Sequence, residues 1–116
     1  RISRWHPFTG KWQMHSAVDL VAPFGTPILA ARGGRVSFAG YKGEYGKLVV
    51  IEHANGFETY YGHATEIFVR EGEEVAEGQL IARVGYSGSA TAPHLHFEVR
   101  HGGVPRNPLL YLRRFM

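Results

Sequence analysis

The chain has no cysteine, which removes both a disulfide framework and any thiolate metal site, so a metal bound here must be held by nitrogen and oxygen. Aspartate is nearly absent as well: nine of the ten acidic residues are glutamates, and Asp19 stands alone. No apolar run approaches the ~20 residues a membrane helix needs, so no membrane insertion is expected in this segment. The first residues carry no charged stretch followed by an apolar one, and a start at Arg1 leads us to expect a piece of a longer, processed protein. Convincing helical periodicity is also missing, which argues against a helix bundle.

What is present instead is glycine, 15 residues of 116, punctuating short runs of β-branched and aromatic residues. That pattern predicts strands over 27–31, 35–39, 47–53, 57–62, 66–70, 79–84 and 94–100. In KLVVIEH-ANG-FETYYG the Asn55-Gly56 pair suits the positive φ angles of a tight hairpin turn, and the second strand then carries His63 at its far end. Two stretches, GTPILAARGGRVSFAG and EGEEVAEGQLIARVG, each read as turn, strand, glycine-rich turn and strand, suggesting a barrel or sandwich of small hairpins. The expected fold class is all-β, with antiparallel sheets forming a small β-sandwich or barrel-like core. At 116 residues the chain suits one domain, 1–116, that buries roughly 65% of its unfolded surface. The C-terminal PLLYLRRF reads as one helical turn or as apolar closure of the core.

A formal charge of +3 favours anionic partners, but the basic residues are scattered, with only Arg113 and Arg114 adjacent, so no nucleic-acid partner is expected. The chain is expected to act as a monomer.

Chemistry concentrates in three places. His15 precedes Asp19 by four residues, a spacing that puts imidazole and carboxylate on one face of a helix or of a strand. With seven histidines in the chain, chance produces this spacing for a given Asp about 6% of the time, so the pair is weak alone. In PHLHFEVR, strand alternation sends His94, His96 and Glu98 to one face and Leu95, Phe97 and Val99 to the other. Histidines at i and i+2 are ~6.5–7 Å apart, close enough for one to bind a metal and the other to serve the reaction beside it. The third place is His63, after a glycine at a strand end. Together, His15, Asp19 and one histidine of the 94/96 pair would supply three zinc ligands and leave a fourth position open, as catalytic zinc sites do. A neighbouring histidine could then move a proton to the leaving amine of a cleaved amide. His6, His53 and His101 are expected to have structural or surface roles.

The segments HSAVD with VAPFGTPILAARGGRV, then LVVIEHANGFETYYGH, then EGEEVAEGQLIARVGYSGSATAPHLHFEV occur in the order of the lysostaphin-type, or LytM-type, zinc metallopeptidases, and the chain resembles that family over nearly its whole length. The resemblance implies a zinc endopeptidase that hydrolyses peptide cross-links or stem peptides of bacterial peptidoglycan outside the cytoplasm. It implies Zn²⁺ on His15, Asp19 and His96, with His63 and His94 as general acid/base or transition-state-stabilising groups. It also implies a groove over the metal walled by loops, where Tyr41, Tyr45, Tyr60 and Tyr61 are candidates for the border and at least half of them for the core. Two departures stand out: Ala17 where the family commonly has glycine, and a compressed approach from Ile2 to His6. The alternatives are a catalytically silent relative that activates another cell-wall hydrolase, and a carrier of the lipoyl, biotinyl or phosphohistidine kind. The five retained site residues disfavour the first, and the lack of a lysine in a convincing attachment turn disfavours the second.

Overall fold

The structure is a computed structural model that describes residues 3–6, 11–14 and 17–108; His15 and the expected turn over 109–116 lie outside the described residues. The described residues form eleven strands: β1 (Ser3–His6), β2 (Lys11–Met14), β3 (Ala17–Val21), β4 (Pro27–Leu29), β5 (Gly34–Tyr41), β6 (Lys47–Glu52), β7 (Phe57–Ile67), β8 (Glu74–Val75), β9 (Leu80–Val84), β10 (His94–His101) and β11 (Val104–Arg106). The fold is all-β and antiparallel. β1 and β2 form their own two-stranded antiparallel sheet, in which Trp5 pairs with Trp12. The other nine strands share one network.

Both edges of β10 are paired. β7 runs along one edge, while β3 and then β11 share the other. Strand alternation then divides the sheet into two faces. On one, Val18, Phe97 and Tyr61 lie in a row across β3, β10 and β7, and they join Val36, Val49, Ile51, Ile81 and Val99 in the apolar core. On the other, Asp19, His96 and Gly62 form the neighbouring row, and Ala17, Glu98 and Tyr60 the next. A one-residue slip of β10 would exchange the two sets, so burial of Phe97 and Val99 fixes where the histidines point. Ala17 sits in this extended strand without positive φ, so its methyl group is tolerated where glycine is usual.

The β6–β7 hairpin forms as expected, with Asn55 at φ 63° and Gly56 at φ 78°. Two other expectations change. The two glycine-rich stretches do not fold into separate hairpins: β4 pairs with β9, and β5 pairs with β6 and β8, so the stretches interlock. Backbone bonds between Ala30 and residues 78–79, and from Val36 N–H to Glu73 O, stitch them together, which brings Ile28, Val36, Val75 and Ile81 into one core instead of two small ones. No strand runs over 66–70; Glu66 and Ile67 are the end of β7, which continues through His63 rather than stopping before it.

Beneath β4 and β5 a chain of buried polar groups ties the sheet together. Ala31 N–H donates to the Tyr61 hydroxyl (3.0 Å), which lies 2.7 Å from Thr59 Oγ1, itself 2.7 Å from His53 Nε2; His53 Nδ1 reaches Gly33 O at 2.8 Å. A carbonyl can only accept, so Nδ1 carries a proton; in a neutral ring Nε2 then accepts from Thr59, and Thr59 accepts from Tyr61. A neutral ring is the form that burial favours by lowering the His53 pKa, helped by the Arg32 charge and opposed by the Gly33 carbonyl.

Thr59→Val should destabilise the domain by about 1–3 kcal/mol in urea unfolding, since it keeps the shape but leaves buried partners unmatched. The depressed His53 pKa also has a sign. Below about pH 6.5 the unfolded chain takes up this proton before the folded one, so stability falls on acidification until the pH has passed the lowered folded value. The stability difference between wild type and His53→Gln should therefore shrink below pH 6.5, and a difference that is constant across this range would rule out the neutral-His53 relay.

Candidate functional site

The titratable face of β10 forms the floor of a groove of ≈ 510 Å³. Asp19, His63, His94, His96 and Glu98 line it, with Glu44 and Tyr45 on one wall and residues 89–92 on the other. Four of the five expected site residues are thus brought together; the fifth, His15, lies outside the described residues.

The contact between Asp19 and His96 follows from register. The two residues are directly paired across β3 and β10, and Asp19 Oδ1 lies 3.1 Å from His96 Nδ1 and 3.5 Å from His94 Nε2. On the other side of His96 is Gly62, where a Cβ would come within 3.2 Å of Tyr45 Cδ1 and 3.4 Å of His96 Cβ, so the missing side chain lets Tyr45 close over the imidazole. The Tyr45 and His96 ring centroids are 5.5 Å apart, edge to face.

His63 reaches the groove through a bulge. Lys47 pairs with Ala64 but Val49 pairs with Tyr61, so Gly62 and His63 together oppose the single residue Leu48. His63 takes φ 63°, a left-handed conformation that costs about 1–3 kcal/mol outside glycine and must be held by its surroundings. The hold is visible: His63 Nδ1 donates to Ser87 O at 2.6 Å, and the ring packs edge to face on His94 (4.8 Å) and His96 (5.7 Å). His94 is anchored in the same way, its Nδ1 donating to Ala92 O at 2.9 Å. In both rings the bond to a carbonyl assigns the proton to Nδ1 and leaves Nε2 as the basic nitrogen. Burial holds His63 below the ordinary histidine pKa, with the Ser87 carbonyl opposing it and His94 and His96 adding to it.

The walls are clamped to each other. Ser89 N–H and its hydroxyl both donate to Glu44 O, while Ser87 Oγ donates to Ala64 O and accepts from Lys47 N–H. Gly46 (φ 68°) and Gly88 (φ 78°) cross so closely that a Cβ on either would lie 2.4 Å from the other loop's backbone. Only glycine fits at this crossing.

The donor chemistry suits a divalent transition metal. Ligand atoms on a tetrahedral zinc at about 2.0–2.1 Å lie about 3.3 Å from each other, close to the 3.1 Å between Asp19 Oδ1 and His96 Nδ1. Among the described residues no group of three His, Asp or Glu side chains could hold an ion by itself. Without a metal, His96 is buried, which disfavours its charge, yet its bonds to Asp19 and Glu98 outweigh this and raise its pKa to about 9.

Glu98 is the residue whose role the sequence did not disclose. Alternation put it on the histidine face, but only the structure shows its 2.7 Å contact with His96 Nε2. The four tyrosines divide: Tyr45 lines the groove, Tyr60 packs beside it at 5.9 Å, Tyr61 is core, and Tyr41 is exposed on β5. His53 and His101 stand apart from the groove, the latter stacked on Phe57.

The chain is similar to known proteins in sequence and in fold. It is 45% identical over 106 residues to the DD-carboxypeptidase/endopeptidase Mpg of Neisseria meningitidis, covering 91% of this chain and 24% of the relative. It is 43% identical over 105 residues to the peptidoglycan DD-endopeptidase ShyC of Vibrio cholerae, covering 90% and 24%. This chain therefore spans about a quarter of the length of these curated relatives. Among solved structures, the lysostaphin catalytic domain of Staphylococcus simulans superposes with a TM-score of 0.80 at 30% identity, covering 86% of this chain and 80% of that one. A zinc containing peptidase from Vibrio cholerae superposes with a TM-score of 0.78 at 36% identity, covering 92% and 33%. Residues 13–108 match peptidase family M23, and the chain belongs to that family.

Proposed function

We propose that this chain is the catalytic part of a zinc-dependent endopeptidase that cuts peptide bonds in bacterial peptidoglycan outside the cytoplasm. The observation that carries the reading is the groove itself: a carboxylate and an imidazole nitrogen 3.1 Å apart, flanked by two histidines whose Nδ1 protons are tied to carbonyls. Membership of a peptidase family supports the reaction class, and the peptidoglycan DD-endopeptidase among the relatives supports the substrate.

Asp19 and His96 would hold the ion together with His15. When bound, zinc supplies Lewis acidity toward a scissile carbonyl and toward water. The protein's own residues do the rest. His63 and His94 keep Nε2 basic and fixed in orientation, so either can accept a proton from water and return one to the departing amine. The clamped walls, including Tyr45, confine an extended peptide over the β10 face and limit its freedom before reaction.

The purified chain should carry near-stoichiometric zinc and release new peptide termini from isolated peptidoglycan, detected by mass spectrometry of the digest and abolished by a chelator. A metal-replete protein that releases no fragments and only stimulates another hydrolase would overturn the enzymatic reading. Asp19→Ala and His96→Ala should lose tight zinc binding, because two ligands hold the ion poorly. His63→Ala and His94→Ala should keep zinc and lose about 10²–10⁴-fold in turnover; undiminished turnover in either variant would remove that residue from the mechanism.

A further inference from the structure

We propose that Glu98 is the positioning residue for His96, fixing which imidazole nitrogen faces the metal, and that Tyr45 and Arg100 hold Glu98 in place for this task. The inference rests on the proposed metal-binding reading of Asp19 and His96 and deepens it.

Glu98 is 5% exposed, and a buried carboxylate needs its lone pairs filled. Oε2 accepts from His96 Nε2 at 2.7 Å and from the Tyr45 hydroxyl at 2.8 Å. Oε1 accepts from Arg100 Nε at 3.0 Å and Nη2 at 2.9 Å, and the same Nη2 also reaches the Tyr45 hydroxyl at 3.2 Å. Arg100 in turn lies over the Tyr60 ring, 4.5 Å from its centroid. Tyr45 and Arg100 thus fix the carboxylate and leave one direction for the imidazole.

The consequence for His96 is a choice of nitrogen. With Glu98 holding the Nε2 proton, Nδ1, the atom beside Asp19 Oδ1, is the nitrogen left to offer its lone pair once a metal displaces the proton there. Carboxylate partners of this kind set tautomer and ring orientation at metal-binding histidines, and losing them weakens metal affinity 10–100-fold. Spacing contributes as well: Glu98 and His96 are i and i+2 on one strand, so the same alternation that aims the imidazole aims its partner. Tyr45 makes the device unusual, because a groove wall residue and the imidazole share one carboxylate oxygen.

The test is zinc affinity by competition with a chromophoric chelator, in wild type, Glu98→Gln and Tyr45→Phe, with thermal unfolding of the metal-free proteins as the control for folding. Glu98→Gln should bind zinc 10–100-fold more weakly, because an amide cannot accept from His96, Tyr45 and Arg100 together. Tyr45→Phe, which keeps the ring and removes one donor, should weaken binding by a smaller factor. ¹⁵N shifts of the zinc-loaded proteins should show His96 protonated at Nε2 in wild type and a mixture of tautomers in Glu98→Gln. Wild-type affinity with an unchanged tautomer in Glu98→Gln would overturn the positioning role. Failure of the wild type to bind zinc would instead remove the metal-binding reading and, with it, this inference. If Glu98→Gln does not fold, Tyr45→Phe decides: unaltered affinity and tautomer there overturn the proposed hold on Glu98.

Discussion

β10 is paired along both edges, and its two faces have opposite chemistry; the site depends on that arrangement. Phe97 and Val99 are buried against Tyr61 and Ile51, which sets the rotation of the strand about its axis. Once that is set, His94, His96 and Glu98 have nowhere to go but the other face. The antiparallel pairing with β3 then puts Asp19 opposite His96 with no loop involved. Core burial and groove geometry are therefore one constraint: the residues that stabilise the domain also place a carboxylate oxygen and an imidazole nitrogen 3.1 Å apart, on elements stiffer than loops.

Legibility in the sequence followed how local each feature was. The alternation in HLHFEV and the Asn55-Gly56 turn are short-range, and both appear in the structure as expected. The pairing of β4 with β9 and of β5 with β8 was not legible, because each stretch looks like a self-contained hairpin and only the shared core shows that they interlock. The site divides in the same way. Asp19, His94 and His96 stood out by spacing and His63 by its place after a glycine at a strand end, but nothing local indicates that Gly62-His63 will bulge against Leu48. Glu98 was visible on the right face, yet its partners Tyr45 and Arg100 come from a distant turn and from the far end of β10.

Two polar networks cross the same sheet at different depths and differ in charge. The relay from Ala31 through Tyr61, Thr59 and His53 to Gly33 is neutral throughout, which suits its burial beneath β4 and β5. The Glu98 cluster is ionic, and its buried carboxylate is tolerable because an arginine fork, a phenol and an imidazole all donate to it. Burial and the bond to Glu98 push the Tyr45 pKa up to about 12, so the phenol stays a donor across any pH at which the protein works. That is the property required of a residue that shares an acceptor with the imidazole proposed to face the metal.

The strained bulge at His63 gains its sense from the loops around it. A histidine at φ 63° relaxes unless something holds it, and here the hold is Ser87, whose carbonyl accepts from Nδ1 while its hydroxyl bridges Ala64 and Lys47, the pair that closes one end of the bulge. Ser87 can sit there only because Gly46 and Gly88 pass at backbone contact, which draws the 86–92 segment against the 43–45 turn. The glycines that first read as simple strand punctuation therefore act at the site. They bring two loops close enough for one serine to fix the conformation of a groove histidine, and the same loops, through Glu44 and Ser89, form the opposite walls of the groove. Strain at His63, closeness of the walls and orientation of its ring are thus three aspects of a single crossing.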